Sequence, residues 1–278
     1  MKLYLAGGHR RSFREAVLEL GGNKLYSYRL ERREAESIMA DARTKQGYRL
    51  MVDSGAHSWN KLFETRAAAG GVGMKRLPDA EMYHEEYLSW IEQRGDQAIT
   101  VVEFDVYALL TEKVLARAHE RVREAVSAGG GALRYIRVYH PRLDDGNLST
   151  LRRWIDEGHT YVGVGRDSIP ILNRIFDLTR DTVRIHGFAM IRAKYLERFP
   201  FYSADSSSVL APAMYGGAFK TSNGRAPTFT SKQRLMRARR HEVLYSTDWR
   251  VREGVCQSVR YERFLTSLWA ERGVVWED

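Results

Sequence analysis

The amino-acid sequence predicts an α/β fold, a single (β/α)8 TIM-type barrel. Three observations support this fold. Short β-rich runs alternate with longer helical patterns, eight such runs can be counted, and several of them are almost continuously apolar. This alternation is typical of βα units around a parallel sheet whose strands are buried on both faces. Eight units favour a closed barrel, and 278 residues, 44% of them hydrophobic, can fill one such domain.

Most of the predicted strands are rich in Val, Ile and Tyr, which favour β structure. They comprise residues 2–5, 25–29, 49–53, 99–105, 133–139, 160–164, 182–187 and 201–205. Helical periodicity lies between them at residues 35–43, 80–93, 112–128, 147–157 and 169–178. Glycines follow two of these patterns, at residues 129–131 and at Gly158, where glycine commonly ends a helix.

The regular alternation stops after the eighth predicted strand. Residues 206–252 form a basic excursion containing Ser, Gly and Pro. The apolar pattern over residues 261–270 predicts a closing helix with Phe264, Leu265 and Leu268 facing inward. We therefore predict one TIM-barrel domain over residues 1–278, with a basic insertion after the last strand.

The composition limits the partners and the redox chemistry. A formal net charge of +9 and a pI of about 9.6 favour a nucleic-acid partner, although a basic soluble enzyme without one has the same composition. Cys256 is the only cysteine, which excludes an intramolecular disulfide and a cysteine-rich zinc cluster. No apolar run is long enough for a signal peptide or a membrane span. We expect a cytoplasmic protein with no membrane partner and no cofactor.

Polar and glycine residues stand where the predicted strands end, and in this fold the active site is built from those ends. The segments are Asp53-Ser54-Gly55, Glu103-Phe104-Asp105, Tyr139-His140, Gly163-Val164-Gly165, His186-Gly187 and Asp205-Ser206-Ser207. One such aspartate is commonly a helix cap or an arginine partner. Three carboxylates in one cleft repel each other, so their convergence indicates a function.

Paired carboxylates predict chemistry at a sugar C1′. One can attack the anomeric carbon while the other transfers a proton to the leaving group, and a third can accept hydrogen bonds from a purine. Gly163 and Gly165 would let a flat base approach the backbone, and a tight βα turn explains them equally well.

Several segments resemble motifs of the 7-deazaguanine transglycosylases, the family of the tRNA-guanine transglycosylases. Val52-Asp53-Ser54-Gly55-Ala56 resembles their Asp-Ser-Gly-Gly box, and Glu103-Phe104-Asp105 their base-reading Phe-Asp segment. The run from Tyr161 to Gly165 resembles their purine-pocket glycines, and Ile185-His186-Gly187-Phe188 the segment before the nucleophile strand. Residues 199–208, Phe-Pro-Phe-Tyr-Ser-Ala-Asp-Ser-Ser-Ser, are most similar to phage-type DNA-guanine transglycosylases. The likeness covers residues 1–210 in order.

The resemblance implies a guanine exchange without redox chemistry. Asp205 would attack C1′ to form a covalent glycosyl-enzyme, Asp53 would be the general acid/base, and the incoming base would be a 7-deazaguanine such as preQ0 or preQ1. The target base would have to leave its stack. The substrate-binding residues implied are Asp105, Ser54, Gly55, His57, His140, Gly163, Gly165, His186 and Gly187.

The chain departs from the family in three ways. A single cysteine cannot form the zinc site of the tRNA enzymes, which favours DNA over tRNA as the partner. His57 replaces the family's aromatic residue, so either His57 or Trp59 would stack on the base, or both would pack within a loop. Ala189 stands where the phage relatives have glycine.

The basic excursion predicts a nucleic-acid contact. Cations can bind phosphates, and the interleaved aromatics can stack on exposed bases; a solvated helix over residues 231–240 is the plainer interpretation. The candidate nucleic-acid-binding residues are Lys220, Arg225, Lys232, Arg234 and Arg237.

Four functions are therefore open. The favoured one is a DNA-guanine transglycosylase. The others are a zinc-free tRNA-guanine transglycosylase, a nucleoside or DNA base glycosidase that uses the same two aspartates, and a nucleic-acid-binding barrel without activity. The presence of both Asp53 and Asp205 argues against the last.

Overall fold

In a computed structural model, eight parallel strands form a closed barrel in the order β1 to β8, which confirms the predicted (β/α)8 fold. The structure describes residues 1–7, 11–40, 49–68, 77–107, 109–180, 182–207, 218–220, 228–230 and 246–276. The barrel strands are β1 (Lys2–Ala6), β2 (Asn23–Ser27), β3 (Leu50–Asp53), β4 (Thr100–Val102), β5 (Arg134–Tyr139), β6 (Tyr161–Val164), β7 (Arg184–Gly187) and β8 (Ser203–Ser206).

Helices lie between the strands, and the last one follows the barrel. They are α1 (Arg11–Glu19), α2 (Tyr28–Met39), α3 (Ala56–Ala68), α4 (Leu77–Glu92), α5 (Glu112–Ala128), α6 (Ser149–Asp156), α7 (Leu172–Thr179), α8 (Ala193–Leu196) and α9 (Thr247–Glu271). Two 3₁₀ helices, Pro141–Leu143 and Arg166–Ile171, follow β5 and β6. A separate antiparallel pair, β9 (Ala218–Lys220) and β10 (Thr228–Thr230), lies within the predicted excursion.

The strands were predicted at the right places, with shifted ends. The second predicted strand, 25–29, is wrong at its end, because Tyr28 and Arg29 already belong to α2. The fourth, 99–105, is too long, since β4 ends at Val102. Helices α1 and α3 were not predicted. The closing helix begins at Thr247 rather than residue 261, so residues 247–252 of the predicted excursion lie in α9.

The chain packs as two compact units, the first formed by Met1–Leu25 with Val138–Asp278 and the second by Tyr26–Arg137. In the first unit, α9 packs on β1, in agreement with the predicted closing helix whose apolar residues face inward. Leu265 is fully buried, while Phe264 and Leu268 are partly buried against the same core. Glu262 of α9 accepts hydrogen bonds from the Leu3 backbone N–H and the Asn23 side chain, which joins this helix to β1 and β2.

The second unit is built around an aromatic cluster. Tyr28 of α2 packs against Tyr83, Tyr87 and Trp90 of α4, with ring centroids 4.8 to 5.7 Å apart. Helices α4 and α5 approach so closely at their ends that a Cβ atom on Gly129 would lie 2.0 Å from the Gly95 backbone. Glycine is therefore required there by packing.

A cavity of about 570 Å³ also lies in the second unit. Leu50, the first residue of β3, and Ile99, immediately before β4, line it together with Glu36 and Arg94. It is thus at the opposite ends of these strands from Asp53 and Glu103. In a barrel of this class the N-terminal strand ends serve stability, so this cavity is not the candidate site.

Candidate active site

Asp205 lies on β8, nearly buried, with 8% of its surface exposed. Its Oδ1 accepts a hydrogen bond from the Ala189 backbone N–H at 3.0 Å and lies 3.2 Å from Nε2 of His186. Ala189 has a φ of 54°, a left-handed conformation that glycine adopts more readily than alanine. This conformation of the loop after β7 turns an N–H group toward the carboxylate.

A row of hydrogen bonds continues from Asp205 through the first unit. His186 of β7 is fully buried, and its Nδ1 lies 2.7 Å from Oγ of Ser203 on β8. The same Ser203 oxygen lies 2.6 Å from the hydroxyl of Tyr161 on β6. His186, which the sequence predicted as a substrate-binding residue, contacts the predicted catalytic residue Asp205. No role in the site was predicted for Ser203 or Tyr161.

Contacts within the protein explain why glycine is found near the ends of β6 and β7 in the first unit. A Cβ atom on Gly187, the last residue of β7, would lie 3.0 Å from side-chain atoms of Met190 and Phe201. One on Gly165 would lie 2.9 Å from Oδ1 of Asp167. Gly163 lies within β6 and pairs with His186. Packing and turn geometry therefore account for Gly187 and Gly165.

His140, just after β5, contacts the carboxylate of Asp167, with Nδ1 and Oδ2 3.1 Å apart. Burial alone would raise the pKa of the Asp167 carboxyl, but the hydrogen bond and the charge of His140 outweigh it, so this pKa is lowered. Asp167 was not predicted as a site residue. Its side chain is 46% exposed, so a ligand could reach it.

In the second unit, Asp53 is the half-buried last residue of β3. Its Oδ2 accepts a hydrogen bond from the Gly55 backbone N–H at 3.1 Å, a turn that the sequence Asp-Ser-Gly favours. Gly55 has a φ of +82°, and a Cβ atom there would lie 2.8 Å from Cβ of Arg29. Glycine is thus required at this turn by both conformation and space.

Ser54 lies between these two residues but points away from solvent. It is fully buried, and its hydroxyl donates to the Glu103 backbone oxygen at 2.8 Å. The hydroxyl of Tyr83 on α4 donates to the Ser54 backbone oxygen. Ser54 therefore joins the turn after β3 to the segment after β4, and its hydroxyl is already engaged within the protein.

Glu103 lies in the strand-end segment after β4, and its carboxylate is bonded within the protein. It is 2% exposed, and its carboxylate contacts Nε2 of His119 on α5 at 2.6 Å and the Tyr107 hydroxyl at 3.1 Å. A buried carboxylate needs such partners because desolvation disfavours its charge. Its role is to fasten the segment after β4 to α5.

The next two residues have different surroundings. Phe104 is buried against Tyr83 and against His84, whose pKa burial lowers to about 4. Asp105, predicted to bind the base, is half-buried after β4. Asp105 therefore follows two residues that are fixed within the protein, Glu103 and the buried Phe104.

His57 and Trp59 lie on α3 and differ in exposure. His57 is exposed, whereas Trp59 is partly buried against Tyr83 and Phe104, with centroids 5.4 and 6.3 Å away. The guanidinium of Arg29 lies 4.9 Å from the Trp59 ring centroid, a cation–π contact. The packing role considered for Trp59 is thus observed, and His57 keeps an accessible ring.

The predicted nucleic-acid contact can be followed only at one position. Lys220 is the last residue of β9, whereas Arg225, Lys232, Arg234 and Arg237 lie outside the described residues. Among the described residues, no three His, Cys, Asp or Glu side chains are grouped as metal ligands would be. No described helix is long and apolar enough to cross a membrane.

The chain was also compared with known protein families, curated proteins and solved structures. No family model, no curated protein and no solved structure matches this chain.

Proposed function

We propose that this protein is a DNA-guanine transglycosylase, which exchanges guanine in DNA for a 7-deazaguanine base. The observation that carries the proposal is the setting of Asp205. A carboxylate that is nearly buried at a strand end, and whose Oδ1 is held by an N–H group and a histidine, is restricted to one orientation. Restricting a nucleophile in this way lowers the entropic cost of reaching the transition state.

In the first half of the proposed reaction, an oxygen of Asp205 bonds to C1′ of the target deoxyguanosine as the C1′–N9 bond breaks. Asp53 donates a proton, so guanine leaves as a neutral base. In the second half, N9 of the incoming 7-deazaguanine attacks C1′, the ester bond to Asp205 breaks, and Asp53 accepts the N9 proton. Each half regenerates the protonation state that the other needs.

DNA is favoured over tRNA because the lone cysteine cannot build the zinc site of the tRNA enzymes. The net charge of +9 suits a polyanionic substrate. In this proposal, exposed His57 stacks on the base, and Asp105 binds its edge.

The decisive experiment incubates the protein with labelled guanine and either duplex DNA, single-stranded DNA or unmodified tRNA. We expect label to enter DNA, faster when the target is unpaired, and unlabelled preQ0 or preQ1 to compete. Incorporation into tRNA alone would assign the tRNA reaction instead. Release of free guanine without incorporation would identify a glycosidase, and no release at all would reject the proposal.

The covalent step has its own test with a matched control. Asp205→Asn should lose exchange by at least about 10⁴-fold and yield no protein–DNA adduct on a denaturing gel. Asp177→Asn, an exposed aspartate on α7, should behave as wild type. Both variants should bind DNA equally. Adduct formation by Asp205→Asn would remove Asp205 from the reaction.

A further inference from the structure

The two oxygens of Asp205 are not equivalent. Oδ1 accepts from the Ala189 N–H and contacts His186, whereas Oδ2 has no hydrogen-bond partner among the described residues. A carboxylate oxygen with two donors is less basic and is fixed in place. The oxygen without donors keeps its lone pairs available, and it is the better nucleophile.

The buried row of hydrogen bonds fixes which nitrogen of His186 carries a proton. An ionised carboxylate only accepts, so Nε2 of His186 must donate to Asp205. In the neutral imidazole Nδ1 then accepts, so the Ser203 hydroxyl must donate to it at 2.7 Å. Ser203 in turn accepts from the Tyr161 hydroxyl at 2.6 Å. Every donor in the row thus points toward Asp205.

We propose that Tyr161, Ser203 and His186 form a positioning relay that locks Oδ1 of Asp205 and presents Oδ2 as the attacking oxygen. This inference rests on the proposed function and adds three positioning residues to it. None of the three would touch the substrate, because His186 and Ser203 are fully buried and Tyr161 is 4% exposed.

The relay also serves both halves of the reaction. When Oδ2 bonds to C1′ and the C1′–N9 bond breaks, the carboxylate becomes a neutral ester, and His186 keeps its carbonyl oxygen in place. When the incoming base attacks and the C1′–Oδ2 bond breaks, negative charge returns to the carboxylate. The N–H groups of His186 and Ala189 are already oriented to stabilise that charge. The relay therefore makes Asp205 both a directed nucleophile and a good leaving group.

The first experiment measures the histidine tautomer and does not depend on activity. Proton–nitrogen correlation spectra of the imidazole rings, with His186 assigned from the signal missing in His186→Gln, should show Nε2 protonated and Nδ1 unprotonated at neutral pH. Ser203→Ala should convert this single tautomer into a mixture. The buried Ser258→Ala, whose hydroxyl binds the Gly254 oxygen on α9, should leave it unchanged. An Nδ1-protonated ring or an imidazolium in the wild type would overturn the relay.

The second experiment measures the rate of glycosyl-enzyme formation in a single turnover. His186→Leu should lower this rate by about 10²-fold, with KM almost unchanged. His186→Gln, which keeps an N–H donor, should recover part of the loss. Ser203→Ala and Tyr161→Phe should each cost about tenfold, and the matched Tyr261→Phe, bonded to Glu197, should cost nothing. Folding is checked by comparing Tm across the set.

The outcomes separate the inference from the proposed function. If the wild-type protein exchanges no base but has the predicted tautomer, the transglycosylase proposal fails and the relay remains as a structural finding. If exchange occurs and the Ser203 and Tyr161 variants retain wild-type rates, the relay does not position Asp205. A loss that appears mainly as a raised KM would also overturn it, because it would indicate weaker substrate binding rather than a misplaced Asp205.

Discussion

The two aspartates of the proposed reaction are supported in different ways. Asp205 is nearly buried, and its carboxylate is held by Ala189 and His186 from the preceding βα segment. Asp53 is half-buried, and its carboxylate bonds to the Gly55 N–H of its own turn. A nucleophile must meet one carbon along one line, which rigid burial favours. An acid/base group must also exchange protons, which partial exposure permits.

A shared position at a strand end therefore does not define the role of a carboxylate. Glu103 follows β4 and Asp205 lies near the end of β8, yet the carboxylate of Glu103 contacts His119 and Tyr107 within the protein. The partners of each carboxylate, rather than its place in the sequence, decide whether it is free to react.

The strongest of these predictions distinguishes the roles of Asp53 and Asp205 by using substrates with different leaving groups. Asp53→Asn should release guanine about 10²- to 10⁴-fold more slowly than wild type, since guanine needs its proton. An oligonucleotide containing N7-methylguanine, which already carries a positive charge, should restore release by this variant. The same substrate should not rescue Asp205→Asn, whose nucleophile is missing. Single-turnover release of each base measures this, and rescue of both variants would abolish the proposed division of roles.

Adding one methyl group at Gly55 should disrupt the turn that supports Asp53. Gly55→Ala should destabilise the protein by about 3 kcal/mol, because its φ is +82° and the new Cβ would lie 2.8 Å from Arg29. Gly158→Ala is the matched control: its φ is +87°, with no atom within 4 Å of the added Cβ. It should cost only about 1 kcal/mol. Urea unfolding compares them, and equal losses would show that space at Gly55 is unimportant.

A smaller effect is expected from the hydroxyl that holds the Ser54 carbonyl. Tyr83→Phe removes this bond and should cost about 1–2 kcal/mol, while also slowing the step that needs Asp53. Tyr28→Phe, in the same aromatic cluster, loses only a 3.4 Å contact with the Glu86 oxygen and should be nearly neutral. The two variants are compared by denaturation and by guanine release. Equal stability and equal guanine release in the Tyr83→Phe and Tyr28→Phe variants would show that the Tyr83 hydroxyl does not hold the Ser54 carbonyl in place.

The smallest expected effect is a pH dependence in the first unit. The lowered pKa of Asp167 means that its contribution to stability is fully present above the ordinary aspartate pKa of about 3.9. That contribution is lost as pH falls through the lowered, folded-state pKa. The stability difference between wild type and Asp167→Asn should therefore be larger at neutral pH than in acid. A difference that stays constant with pH would mean that His140 does not favour the charged form of Asp167.

The strands could be predicted because they are short buried runs, most of them rich in β-branched or aromatic residues, and this local signal does not depend on tertiary contacts. Their ends could not be predicted as well. Tyr28 and Arg29 were included in the second predicted strand, yet they begin α2, where Tyr28 packs among Tyr83, Tyr87 and Trp90. Packing against distant residues overrode local preference there.

The candidate site was predictable by residue type but not by contact. Asp53 and Asp205 stand out in the sequence because both are carboxylates where a predicted strand ends, which is where the active site of this fold is built. Ser203, Tyr161 and Ala189 carry no such signal. Their importance arises because β6, β7 and β8 are neighbours, which brings a serine, a tyrosine and a backbone N–H to one histidine and one carboxylate.

The βα alternation, the number of barrel strands and the polar residues near the strand ends could be predicted from the amino-acid sequence alone, because hydrophobic periodicity and turn chemistry act over only a few positions. Tertiary packing was needed to establish which oxygen of Asp205 is held, that Ser54 and Glu103 point into the protein, and that Gly55 and Gly187 have no room for a side chain. Those outcomes depend on atoms far apart in the chain, and their separations are fixed only when the strands pair.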